Sequence, residues 1–120
     1  MTEGGLRVGG LVVQMAGSRW YIPVVSVIEV LRDARMVRVP GGAQAVRGMA
    51  NHRGRILVVA DAVRALELGG GGATGSEIVV VEWEGRRFGL VADAVVELVG
   101  EARTGLAEID LGRIASAIFA

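Results

Sequence analysis

Short apolar runs rich in valine recur along the chain, and glycine-containing turns separate them. Val occurs 20 times and Gly 19 times in 120 residues, whereas Pro occurs twice. Branching at Cβ favours extended backbone, and glycine supplies the tight turns between strands. The pattern predicts an all-β chain with short helices, built as a small barrel or as paired barrels. The length suits a single domain over residues 1–120.

Local patterns place the individual elements. Apolar residues at Val24, Val27, Ile28 and Leu31 have helical spacing and follow a proline, which predicts a short helix over 24–31, with an extended strand as the other interpretation of 24–27. Asp61 and Asp110 are suited to cap helices over 62–67 and 111–118. The other predictions are a hairpin of 11–15 and 19–22, a short strand over 35–39, a buried strand over 55–60 after a polar turn at 51–54, a hairpin of 78–83 and 86–92, a strand or helical turn over 94–99, and a flexible Gly-rich loop over 69–76 between the two halves.

Composition excludes several classes of function. Thirteen basic residues balance thirteen acidic ones and aromatic residues are 4%, which is unlike a nucleic-acid-binding surface. The chain has no cysteine, so it has neither disulfides nor thiolate metal sites. All basic residues are arginines, so the Gly-rich loop lacks the lysine of a phosphate-binding loop. No apolar run approaches the roughly 18 residues of a membrane span, and the first residues lack a basic signal-peptide region. We therefore expect a cytoplasmic protein without direct membrane insertion.

No constellation of residues indicates catalysis or a metal site. His52 is the only histidine, and beside Arg53 in a predicted turn it is expected to be a surface residue. The serines lie in no nucleophile motif, and the aspartates follow no metal-loop spacing. The sequence thus predicts no catalytic residues, no metal and no cofactor. A recognition surface is the remaining interpretation.

Three blocks resemble the CheW-like chemotaxis coupling proteins. Residues 45–61, AVRGMANHRGRILVVAD, resemble the central signature of that family, in which a glycine precedes an Asn-x-Arg-Gly turn and a buried strand ends at an aspartate. Residues 20–30 resemble its Val-x-Glu-Val block, and residues 79–95 resemble its Gly-hydrophobic-Val-Val-Asp hairpin. The order and spacing agree over about residues 10–99.

The resemblance implies a single domain of two packed, interleaved SH3-like β-barrels and a non-enzymatic adaptor. Members link the cytoplasmic tip of methyl-accepting chemoreceptors to the regulatory domain of a CheA-type histidine kinase in receptor arrays. The receptor's helical hairpin lies in the hydrophobic groove between the barrels, and the kinase's own CheW-like domain contacts the barrels end to end. The resemblance also implies a salt bridge between Glu29 and Arg53 that fixes the 51–54 turn on the receptor side. The residues expected at the receptor-binding surface are Val27, Glu29, Gly48, Asn51, Arg53, Gly54, Gly89 and Leu98.

The chain departs from the family pattern at three places. Val58 stands where the family has proline, and His52 stands where an aliphatic residue is usual. After Val99, a stretch worth about two strands is missing before the closing helix. We therefore expect the barrel completed by the C-terminal region to be truncated, with its gap covered by the C-terminal helix or by a second copy in a homodimer.

The truncation favours a shortened accessory adaptor that keeps receptor binding and has weak or no direct kinase binding. Such a protein is similar to the accessory coupling proteins that stand beside a full-length CheW in the Frz motility pathway of gliding bacteria. The alternative in the same class is an ordinary CheW protein that bridges receptors and kinase. The alternative in another class is a small β-barrel module that binds a ligand or nucleic acid.

Overall fold

A computed structural model describes residues 9–39, 44–69, 75–100 and 106–119. Ten strands and two short α-helices make up the described chain, and a 3-10 turn at Val24–Ser26 precedes the third strand. The strands are β1 Gly10–Met15, β2 Ser18–Pro23, β3 Val27–Leu31, β4 Met36–Val37, β5 Val46–His52, β6 Arg55–Ala60, β7 Glu77–Trp83, β8 Arg86–Ala92, β9 Ala94–Val99 and β10 Ala107–Glu108; the helices are α1 Ala62–Ala65 and α2 Leu111–Phe119.

The strands form two sheets of unequal size. The larger has six strands in the order β3-β7-β8-β6-β5-β4, and the smaller has four in the order β10-β2-β1-β9. The middle of the chain supplies the larger sheet, and the strands before and after it supply the smaller. Buried residues of both sheets form one continuous core, for example Val13 and Ile22 from the smaller and Val59 and Phe88 from the larger. The predicted all-β fold is thus confirmed.

Three hairpins are closed by the same two-residue loop. Ala16-Gly17, Arg53-Gly54 and Glu84-Gly85 each have positive φ at both positions, as type I′ turns require. These loops join β1 to β2, β5 to β6 and β7 to β8. Glycine fits the second position because it lacks the Cβ that opposes positive φ. The last of these turns was predicted at its observed position, whereas the polar turn predicted over 51–54 narrows to Arg53-Gly54.

The helix predicted over 24–31 is wrong. Only a 3-10 turn forms at its start, and Val27–Leu31 pairs antiparallel with β7 as strand β3. Every residue of β3 is partly buried, so its apolar side chains occur on both faces. The apparent helical spacing came from that two-sided burial, and β-branched residues then favour the strand. The alternative extended interpretation of 24–27 holds only at Val27.

The strand over 55–60 forms but is not buried throughout. Leu57 and Val59 are buried, whereas Ile56 is 78% exposed, since one face of β6 at its start is open. For the segment 94–99 the sequence predicts a strand or a helical turn, and the structure shows the strand, β9. Most of the predicted Gly-rich loop, residues 70–74, lies outside the described residues.

Both predicted helix caps form. Asp61 Oδ1 accepts from the backbone N–H of Arg64 at 3.2 Å, and Asp110 Oδ1 accepts from that of Arg113 at 3.0 Å. Helix α2 buries Leu111 and Ile114, and its main contacts are with α1, β6 and β7. The C-terminal helix therefore packs on the larger sheet. One of the two sequence-based expectations was that this helix covers the gap in the truncated barrel. Its main contacts are instead with α1 and the larger sheet.

Candidate functional site

The β5–β6 hairpin presents an ordered polar tip. Arg53 and Gly54 both have positive φ, and the backbone N–H of Gly54 donates to Asn51 Oδ1 at 3.0 Å. The side chain of Asn51 thus takes up a turn donor that would otherwise need water. Arg53 projects from this tip with 74% of its side chain exposed. The backbone below the guanidinium is fixed, while the group itself stays accessible.

Glu29 on β3 joins this tip to a strand distant in sequence. Arg53 Nε donates to Glu29 Oε1 at 3.0 Å, so the predicted salt bridge is present. His52 Nε2 lies 2.7 Å from the same oxygen. Because an ionised carboxylate can only accept, the proton of this bond is on Nε2 of the ring. One carboxylate oxygen of Glu29 therefore accepts hydrogen bonds from two side chains of the same hairpin.

His52 is not the surface residue that the sequence predicted. It is 2% exposed, and its Nδ1 has no hydrogen-bond partner in the described part of the chain. As the last residue of β5, it directs its ring into the end of the larger sheet, where it meets Glu29. The aliphatic residue usual at this position in the resembling family was the sequence signal for an inward side chain.

The electrostatics of the cluster favour an ionised Glu29. The hydrogen bond from His52 is the main cause that lowers the pKa of Glu29 below its ordinary value of 4.5, and the charge of Arg53 adds to it. The carboxylate is 31% exposed, so water screens it in part. A negative charge at this position orients the Arg53 guanidinium and the His52 ring together.

Two of the predicted site glycines are buried and act through packing. A Cβ on Gly48 would lie 2.7 Å from the backbone oxygen of Val37, so glycine lets β4 approach β5. A Cβ on Gly89 would lie 2.7 Å from Ile78 Cγ2 and 3.2 Å from Leu57 Cδ2. Neither glycine lies at the surface. Their contribution to a binding surface is to set the positions of the strands that carry it.

The remaining two predicted residues, Val27 and Leu98, lie on different sheets. Val27 begins β3 two residues before Glu29 and packs partly buried against the core. Leu98 lies on β9 of the smaller sheet and is 64% exposed. The structure thus gathers Glu29, Asn51, Arg53 and Gly54 at one hairpin tip. It places Leu98 on the other sheet.

The sequence missed a second surface at the open edge of the larger sheet. Val37 is 70% exposed and Val39 is 39% exposed, and together with Met49 and Ile56 they form what we call the edge patch. An open cavity of about 370 Å³ lies among these side chains, bordered by Asn51. Exposed apolar groups of this kind often mark protein interfaces. The sequence did not reveal the exposure of Ile56, because Ile56 lies in a continuous apolar run that predicts a buried strand.

The described residues offer no metal or membrane site. No group of three or more His, Asp or Glu side chains within them is arranged to hold a metal ion. None of the helices in the described ranges has the length and apolarity to cross a membrane.

Comparison with known proteins places these features in a family. The family model of the CheW-like domain matches residues 9–107. Among solved structures, the scaffolding protein TtCheW from Thermoanaerobacter tengcongensis is similar, with a TM-score of 0.71 and 27% identity. The match covers 82% of this chain and 68% of that protein. No curated protein sequence gives a significant match.

Proposed function

Because the chain belongs to the CheW-like domain family, we propose that it is a non-enzymatic, cytoplasmic adaptor of a chemosensory system. Its proposed partner is the cytoplasmic tip of a methyl-accepting chemoreceptor. The observation that carries this proposal is the cluster of Glu29, His52 and Arg53 at the β5–β6 tip. It has the geometry of a recognition surface, and it includes no nucleophile or metal-binding set.

The cluster is suited to bind a helical hairpin because it is pre-organised. The type I′ turn and the bond from Gly54 to Asn51 fix the backbone that bears Arg53. Glu29 holds the guanidinium from one side, so binding costs less side-chain entropy than it would for a free arginine. The guanidinium keeps donors available for carboxylate or carbonyl oxygens of a receptor helix. In this proposal, Val27 on β3 and the exposed Leu98 on the smaller sheet supply apolar contacts.

The small sheet supports an accessory role with weak or no direct kinase binding. It has four strands, and its outermost strand β10 is only two residues long. The similar TtCheW structure extends beyond the matched region, since the match covers 68% of it. A barrel end that lacks strands offers less surface to a second CheW-like barrel, which is the contact the family uses for the kinase.

A second copy of the chain is the proposed cover for the open edge of the small sheet. Strand β9 pairs with β1 on one side and with no strand of the described chain on the other. Helix α2 packs elsewhere, as described above. Unpaired edges favour pairing with another chain. A monomer in sedimentation at micromolar concentration would contradict this part of the proposal.

One observation favours the ordinary coupling protein as the second candidate. The edge patch of Val37, Val39, Met49 and Ile56 lies on the larger sheet, which keeps its six strands. If the regulatory domain of a CheA-type kinase binds there, the chain bridges receptor and kinase despite its small second sheet.

Calorimetric titration against two ligands in one buffer tests both candidates. The ligands are a receptor cytoplasmic hairpin and the CheW-like domain of the kinase. Binding to the hairpin alone supports the accessory adaptor, and binding to both supports the ordinary coupling protein. A Val37→Ser variant is the matched control, because Val37 is 70% exposed in the edge patch and the change should reduce only the kinase titration. Binding to neither ligand would overturn the proposed function.

A further inference from the structure

A polar cavity, separate from the one at the edge patch, opens between the tips of the β5–β6 and β7–β8 hairpins. Its volume is about 270 Å³. The buried ring of His52 contributes to it, with Arg55 and Arg87 from β6 and β8 and Glu82 from β7. We call it the two-tip cavity; its full lining is His52, Arg55, Ile56, Leu57, Glu82, Gly85 and Arg87.

The charges of the two-tip cavity are not balanced among the residues that the structure describes. Two guanidinium groups share it with one carboxylate, which leaves an excess of one positive charge. Arg87 and Glu82 are cross-strand partners in the sheet register, yet they form no ion pair within the described ranges. Arg55 likewise has no ion pair there. Arg53, at the same hairpin tip, is by contrast held by Glu29.

The His52 ring adds no negative charge to the two-tip cavity. Its Nε2 is engaged by Glu29, and its Nδ1 is buried without a partner among the described residues. Among the described residues, Glu82 is thus the single acidic group that lines the cavity. An incoming carboxylate would meet two arginine forks and one like charge.

We propose that the two-tip cavity binds a carboxylate side chain of a protein partner. Arginine forks match carboxylate oxygens and form charge-assisted hydrogen bonds. Arg55 and Arg87 are exposed, so water and salt weaken their pairing with a carboxylate, and adjoining contacts must add to the binding of a protein partner. Ile56, 78% exposed, supplies such a contact at the rim. The partner segment therefore carries an Asp or Glu beside an apolar residue.

This inference deepens the proposed function, on which its choice of partner rests. The two-tip cavity adjoins the Glu29–Arg53 cluster through His52, which belongs to both. A receptor hairpin that contacts Arg53 would reach Arg55 two residues further along the chain. We therefore expect the acidic residue to be on the receptor hairpin.

The test uses the double variant Arg55→Gln/Arg87→Gln and the control Arg19→Gln. Arg19 is exposed on the smaller sheet. In calorimetric titration with the receptor hairpin, the double variant should lose affinity by roughly tenfold for each arginine, and its affinity should depend less on salt. The control should bind like the wild type. Equal affinities of double variant and wild type would overturn the inference.

A second probe separates this inference from the proposed function. Glutarate, a small dicarboxylate, is titrated into 15N-labelled protein, and the arginine Nε–H signals are followed by NMR. Selective shifts of Arg55 and Arg87 support the two-tip cavity even if the hairpin fails to bind, which would overturn only the receptor proposal. Uniform shifts of all arginine signals would overturn the inference. Glutarate binding tighter than hairpin binding would overturn the choice of a protein ligand.

Discussion

Replacing Gly89 by Ala tests whether this predicted site residue acts through packing. The added Cβ would lie 2.7 Å from Ile78 Cγ2, 3.2 Å from Leu57 Cδ2 and 3.4 Å from Val59 Cγ2. Ile78 and Val59 are fully buried, and Leu57 is 2% exposed, so the neighbours cannot move into solvent. Overpacking of this kind costs about 1–3 kcal/mol. The lower entropy of the unfolded Ala chain offsets about 0.4–1 kcal/mol of it.

The net loss of unfolding free energy therefore lies between about 0 and 2.6 kcal/mol, and the middle of both ranges gives about 1.3 kcal/mol, measured by urea denaturation of the Gly89→Ala variant. A double-mutant cycle with Ile78→Ala identifies the contact, because that substitution removes Cγ2. The cost of Gly89→Ala should be smaller in the Ile78→Ala background. A variant more stable than the wild type, or an equal cost in both backgrounds, would refute the packing argument.

Three further predictions concern the β5–β6 tip. Arg53→Ala should weaken binding of the receptor hairpin about tenfold in calorimetry. Its urea midpoint should hardly move, since the side chain is 74% exposed; unfolding of the variant would contradict its assigned role. Gly54→Ala should cost about 1 kcal/mol in thermal unfolding through its φ of +79° alone, as no atom lies within 4 Å of the added Cβ. Because the His52 hydrogen bond lowers the pKa of Glu29, the unfolded state binds more protons in acid. The stability from Glu29 should thus be present above about pH 4.5 and fall as pH drops through the lowered pKa; Glu29→Gln should flatten that acid limb, and an unchanged limb would contradict it.

The hairpins were the part of the fold that the sequence predicted best. A glycine in each turn between apolar runs gave local signals that need no distant partner. The strand at 27–31 was not open in this way, because β3 is defined by pairing with β7, about fifty residues later in the chain. Its apolar positions fit a helix as well as a strand buried on both faces.

The candidate site was predictable only in part. The Glu29–Arg53 pair came from family resemblance, since the two residues are 24 positions apart. Burial of His52 depends on the way the larger sheet brings β3 to the β5–β6 tip, which composition does not encode. The edge patch escaped notice because the exposure of Ile56 depends on tertiary packing: Ile56 lines an open cavity together with Val37 of the two-residue strand β4 and Met49 of β5.

Mapping the receptor contact on the protein surface is the most direct test of the central claim. A receptor cytoplasmic hairpin is titrated into 15N-labelled protein, and the backbone amide signals are compared before and after. The account predicts shifts at Val27, Glu29 and Asn51–Gly54, with Val37, Val39 and Met49 of the edge patch unchanged. Shifts confined to the edge patch, with the Glu29–Arg53 cluster unaffected, would contradict it.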